Sequence, residues 1–168
     1  MNRPQSNEFA PYYATYIDTV ADNVLTELEQ QKQALPEFLA GISPEKADFA
    51  YAPGKWTIKE MLGHIIDTER VMTYRAMRIA RNDQTPLASF DEDTYVANAH
   101  FKDRTLASLA EEFATLRKAN LFLFKSLNET ELNRMGTASS NPVSVRALLF
   151  ILAGHVNHHR RILEERYL

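Results

Sequence analysis

Four stretches of this chain carry apolar residues at helical spacing, each with one stripe that has to be buried against something else. They run from about Pro11 to Leu35, from Trp56 to about Arg81, from Leu106 to Leu127, and from about Pro142 to Arg166. Four such stripes predict an all-α four-helix bundle with long connections and short accessory helices. The 168 residues suit a single domain spanning 1–168, long enough to bury most of its surface without covalent staples.

The first stretch has Tyr13, Tyr16, Ile17, Val20, Val24, Leu28 and Leu35 on its stripe, and Pro36 is expected to end or bend it. Pro44-Glu45-Lys46 opens a short helical turn in the connection that follows. The clearest helix start is Trp56-Thr57-Ile58-Lys59-Glu60-Met61. Thr57 and Glu60 form a capping box, while Trp56 and Met61 occupy the two positions of a hydrophobic staple. Ile58, Met61, Ile65, Met72, Ala76 and Ile79 make this stripe, with His64 at its margin and Thr68 and Arg75 near the same direction. Phe90 to Ala99 suits a short helix, and Asp91-Glu92-Asp93 reads as its N-terminal charge cluster, lacking the glycine and spacing of a calcium loop. The third stripe holds Leu109, Phe113, Leu116, Leu123, Phe124 and Leu127. Asn141-Pro142 supplies a cap and a first-turn proline for the fourth helix.

That fourth helix carries the chemistry. Val145, Leu148, Leu149, Leu152, Ile162 and Leu163 define a face centred about 40° past His155, where His159 lies. His155 and His159 therefore point inward together, one turn apart. Imidazoles buried in a bundle seam need partners for their ring nitrogens, and a metal ion supplies one. His158 sits about 100° away, at the edge of the face. A third ligand has to come from another helix, and His64 is placed for it. His100, beside Phe101 in a connector, reads as structural or exposed. Three neutral imidazoles with a position left for water or substrate make a catalytic type of site for zinc or another divalent ion. The expected ligands are His64, His155 and His159, with His158 the rival. Glu60 is explained by its cap. Asp67 and Glu69 are candidates for orienting ligands or pairing with Arg75, against a bland reading as solvated salt bridges. Arg75 can bind an anionic substrate group or form a rim salt bridge, and Tyr12, Tyr13 and Tyr16 can reach the same pocket. No carboxylate stands out as a general base, so no catalytic residue is assigned.

Composition narrows the alternatives. With no cysteine, disulfides, thiolate ligands and an internal thiol nucleophile are excluded, so any thiol must arrive with a substrate. A net charge of -3 with interleaved acidic and basic residues argues against nucleic acid as a partner. No apolar run reaches membrane-spanning length, and no export signal opens the chain, which points to the cytoplasm. Phosphate-binding glycine loops, nucleophile elbows, H-E-x-x-H and the paired Glu-x-x-His of di-iron bundles are all missing. A small-molecule substrate is the expected partner. A homodimer is compatible with an apolar bundle face, although no heptad repeat specifies one.

Taken together, Gly54-Lys55-Trp56-Thr57-Ile58-Lys59-Glu60, Gly63-His64-Ile65-Ile66-Asp67-Thr68-Glu69-Arg70, Tyr74-Arg75-Ala76 and Gly154-His155 through His158-His159 resemble the DinB-like superfamily of four-helix metal-dependent enzymes. The resemblance extends from about Glu8 to Leu168. It implies one histidine from the second helix and two, four apart, from the last, which here are His64, His155 and His159. It implies a divalent ion (zinc, nickel, iron or manganese) and two classes of chemistry: S-transfer or isomerisation with a low-molecular-weight thiol cosubstrate, or hydrolysis. The alternative is a non-catalytic metal-binding or interaction bundle whose histidines satisfy one another.

Overall fold

In the computed structural model, which describes residues 1–168, the chain is mostly helical. Short 3-10 turns at Ser6–Glu8 and Pro11–Tyr13 lead into α1 (Ala14–Ile17), followed by α2 (Val24–Ala40), α3 (Pro44–Ala47), α4 (Ile58–Ala80) and α5 (Glu92–Asn98). A third 3-10 turn at Phe101–Asp103 precedes α6 (Leu106–Ser126) and α7 (Glu129–Leu132). The hairpin β1 (Met135–Ala138) and β2 (Asn141–Ser144) then delivers the chain to α8 (Val145–Arg166). No helix is long and apolar enough to cross a membrane.

The four long helices α2, α4, α6 and α8 form the expected bundle. α6 packs between α2 and α4, and α8 closes the ring on the other side. Their directions follow from two apolar clusters stacked along the axis. Val24 and Leu28 of α2 and Val145 to Ala153 of α8 lie in the first cluster, with Leu35, Leu39, Val156 and Leu163 in the second. α4 and α6 run the other way, from Ile58–Ile66 and Leu106–Phe113 in the second cluster to Met72–Ala80 and Leu121–Leu127 in the first. Thus α2 is parallel to α8 and α4 is parallel to α6, and the connection from α4 to α6 must cross the length of the bundle.

Three sequence expectations need correction. The stretch from Pro11 to Leu35 is not one helix: the chain turns between Asp18 and Asn23, and α2 starts afresh with the Asn23 side chain accepting from the Thr26 amide. The apolar spacing continues through this break because both pieces pack on the same core. Pro36 does not end the helix but lies inside α2, which continues to Ala40. Asn141-Pro142 does not cap α8. It belongs to β2, where Pro142 pairs opposite Thr137, and Ser144 is the cap, its hydroxyl accepting from the Ala147 amide at 3.0 Å. Elsewhere the expectation agrees: a helical turn opens at Pro44, the Asp91-Glu92-Asp93 cluster stands at the start of α5, and both halves of the Thr57–Glu60 box form, while the structure adds Ser43 and Asp91 as caps.

A candidate tri-histidine metal centre

The level of α4 that matters is fixed from its N-terminus. The Glu60 amide donates to the Thr57 hydroxyl at 3.2 Å, and the Thr57 amide donates to the Glu60 carboxylate at 2.8 Å. Trp56, just outside the cap, lies with its ring 4.7 Å from the His64 ring and shares a cluster with Met61. Its carbonyl accepts from the Tyr167 hydroxyl at 2.6 Å, tying it to the chain beyond α8. The staple therefore sets the entry angle of α4 and also covers one face of His64.

Two glycines make room at the same level, each one residue before a histidine. A Cβ on Gly63 would strike the Phe101 ring, and one on Gly154 would strike the Tyr16 carbonyl. The second contact is backbone against backbone, so the N-terminal segment lies directly on α8. It leaves the Tyr16 ring 5.6 Å from His155 and 5.0 Å from His158.

His64, His155 and His159 are all buried, and their donor atoms fall within 4.8 Å of one another. The Nε2 of His155 is 2.9 Å from that of His64 and 3.0 Å from that of His159. Burial, reinforced by the neighbouring imidazoles, holds His155 and His159 well below the ordinary histidine pKa. Burial pushes His64 down to about 4 against the opposing field of Asp93. All three rings are therefore neutral near pH 7. A neutral imidazole nitrogen carries either one hydrogen or one lone pair. His155 Nε2 can thus complete only one of its two contacts well, and the cluster is not satisfied by its own hydrogen bonds. His159 Nδ1 is also buried without a partner. Three convergent nitrogen donors without a carboxylate to charge them fit a divalent cation. His158 is half-buried and turned toward Tyr16, outside this trio, and His100 is exposed.

Two cavities flank the trio. One, of about 380 Å³, is lined by His64 and His155 with Tyr12, Tyr13, Tyr16 and Arg75. The other, of about 350 Å³, reaches His159 and is bordered by Trp56, Glu92, Asp93 and Tyr167. Glu92 borders both. The largest cavity, about 610 Å³, lies between α2, α3 and α6 and touches none of the histidines. Asp91-Glu92-Asp93 is the expected charge cluster at the start of α5, yet its second and third members also face the site. No spacing rule shows that, because α5 is a separate element whose docking the sequence does not encode locally.

Asp67 forms the bland surface pair, 3.5 Å from Arg70. Glu69 neither orients a histidine nor pairs with Arg75. It is wholly buried and accepts from Arg117 Nε at 2.7 Å, Arg117 Nη2 at 2.8 Å and Asn120 at 3.0 Å. Arg117 also donates to Gln31 at 2.9 Å, and Gln31 donates to the Ala153 carbonyl at 2.9 Å and to Asn157 at 2.8 Å. Arg75 is not a rim salt bridge either: it is 3% exposed and has no carboxylate within ion-pair distance. Reading α6 for apolar residues missed Arg117 and Asn120, which face inward while Leu116 and Leu123 are only half-buried.

A four-helix bundle in which two helices bring three neutral histidines to one point, with cavities on either side, presents a candidate metal site. The chain belongs to the DinB superfamily, whose family model matches residues 27–163. It is similar to two Oceanobacillus iheyensis proteins, each named "Putative metal-dependent hydrolase". One is 21% identical over 136 residues, covering 80% of this chain and 78% of that protein. The other is 24% identical over 139 residues with the same coverage, 80% and 78%. The fold matches that of YfiT from Bacillus subtilis, described as a probable metal-dependent hydrolase with an unusual four-helix bundle topology. That match has a TM-score of 0.75 at 17% identity and covers 96% of this chain and 89% of the other.

Proposed function

We propose that this chain is a divalent-metal-dependent enzyme that hydrolyses a small molecule, with His64, His155 and His159 as the metal ligands. The observation that carries the reading is the meeting of three buried, neutral Nε2 atoms at 2.9 and 3.0 Å around His155, an arrangement that leaves lone pairs without hydrogens to accept. The names of the two Oceanobacillus relatives support it. A bound divalent ion supplies Lewis acidity, lowering the pKa of water or a thiol and polarising an electrophile. The chain's own residues do the rest. Trp56 shields His64 from solvent, and Tyr12, Tyr13 and Tyr16 wall the larger flanking cavity. Glu92, shared by both cavities, is the candidate acceptor for a proton released there.

S-transfer with a low-molecular-weight thiol is the second reading, favoured by one feature: two separate cavities border the same histidines, as a two-substrate reaction needs. Zinc, nickel and iron suit imidazole donors, whereas manganese, which favours oxygen donors, suits them least. The cytoplasm suits both readings.

Metal analysis of untagged protein tests the ligand set. The wild type is expected to carry close to one equivalent of divalent metal, and His159→Ala and His64→Ala to lose most of it. His158→Ala is expected to keep it. Equal metal in wild type and His159→Ala would refute the assignment. With the loaded protein in hand, a screen of hydrolysable substrates beside electrophiles with added thiol separates the two reactions.

A further inference from the structure

The one buried arginine that lines the histidine cavity has no acid. Arg75 Nη2 donates to the Ala88 carbonyl at 2.7 Å and to the Ser139 hydroxyl at 3.0 Å, and Nη1 lies 3.6 Å from the Met72 sulfur. All three partners are neutral, and the remaining two of its five N–H groups make no hydrogen bond. The other deeply buried guanidinium, Arg117, holds Glu69 with two bonds, and the half-buried Arg146 holds Glu8. Apart from the Phe90 ring, 5.7 Å from its guanidinium carbon, nothing offsets this charge, and a buried cation without a counter-charge is costly. The fold nevertheless builds the position with care. The hairpin tip, with Ser139 and Ser140 both in the left-handed region (φ +51° and +63°), docks on Leu87 and so brings Ser139 and Ala88 to the guanidinium.

We propose that Arg75 is the anion-binding group of a substrate subsite in this cavity, taking an organic carboxylate whose remaining atoms extend toward His64 and His155. The inference deepens the hydrolase reading and rests on it for what happens at the histidine end. His64, Thr68, Met72 and Arg75 follow one another along one face of α4, all lining the cavity, with ~16 Å of helix axis between the first and last backbones. The arginine side chain folds back toward Met72 and shortens that gap. Between the two ends the walls are Tyr12, Tyr13, Phe90 and Ile151, which suit an apolar or aromatic body. Burial raises the Tyr13 phenol pKa, so its hydroxyl stays a protonated donor and adds no negative charge to repel a carboxylate. Glu92, the acid bordering the cavity, is not in ion-pair contact with Arg75 and does not fill the role from within.

The test measures binding alone, in protein stripped of metal with a chelator so that a carboxylate cannot be held by an ion. Acetate, butyrate and 3-phenylpropionate are titrated by calorimetry beside their primary amides. Each acid is expected to bind more tightly than its amide, by about tenfold for the best of them, as a charge-assisted bond requires. Arg75→Gln keeps a donor for Ala88 or Ser139 but removes the charge, and is expected to erase the preference. Arg75→Lys retains the charge and is expected to keep part of it, with thermal unfolding confirming that each variant folds. His159→Ala is expected to leave the preference intact, so a failed metal assignment and a failed anion subsite give different results. Acids and amides that bind alike, acids that do not bind at all, or an unchanged preference in folded Arg75→Gln would overturn the proposal.

Discussion

Glu8 shows how a residue far from the histidines secures the helix that carries two of them. Its carboxylate accepts from the Ser144 hydroxyl at 2.7 Å and from Arg146 Nε at 2.7 Å, and Ser144 is the cap of α8. Burial alone would raise its pKa, but bonds from Arg146, the Gln5 amide and Ser144 outweigh that and hold it below the ordinary value of 4.5. A depressed carboxylate gives stability that is present above the unfolded pKa and lost as pH falls through the folded one. Glu8→Gln should therefore cost about 2 kcal/mol at pH 7, the scale of hydrogen bonds to a charged group. The difference from wild type should shrink as pH drops below about 4.5. Urea melts of both proteins at pH 7 and pH 3.5 measure this, and a pH-independent gap would mean that the pair contributes nothing through its charge. The histidine phase on α8 was legible at this scale: a 100° step places His155 and His159 inward and His158 at the edge, where all three are found. Arg117 was not, because a charged residue on an apolar stripe is indistinguishable from an interruption until its partner on another helix is known.

At the scale of elements, the histidine layer depends on how α4 begins and how α1 lies on α8. Thr57→Ala removes one half of the capping box and should cost about 1 kcal/mol. Gly154→Ala should cost more, about 1–3 kcal/mol, because the added methyl meets the Tyr16 backbone and not a movable side-chain tip. It should also shift Tyr16 away from His158, seen as a change in the histidine ring signals by NMR; unchanged signals would mean that α1 yields elsewhere. The capping box was readable because its parts lie within four residues. The hairpin was not: Asn141-Pro142 has the local chemistry of a helix start, and only pairing with Met135–Ala138 makes it a strand. The break before α2 stayed hidden for a related reason, since both sides of it keep the same apolar spacing against one core.

Across the whole molecule, a polar layer divides the two apolar clusters. Glu69, Arg117, Asn120 and Gln31 link α4, α6 and α2, and Gln31 reaches Ala153 and Asn157 on α8 just beside His155. Arg117→Met strands the Glu69 carboxylate in the interior and should cost about 3–5 kcal/mol. The double variant Glu69→Leu, Arg117→Met should recover most of that loss, since no charge is left unpaired. Denaturant titration of the two variants decides it, and a double variant no more stable than the single would show that the layer is held chiefly by its neutral members. The bundle as a class was legible from four stripes, but the order and direction of its helices were not, because long connections permit several arrangements. That directionality has a temporal consequence. His64 and His155 are 91 residues apart and come from antiparallel helices, α4 and α8. At ribosomal speeds the second follows the first by roughly 5–20 s. During that interval a nascent chain exposes the His64 imidazole with nothing opposite it, so the three ring nitrogens meet only once α8 has emerged and docked.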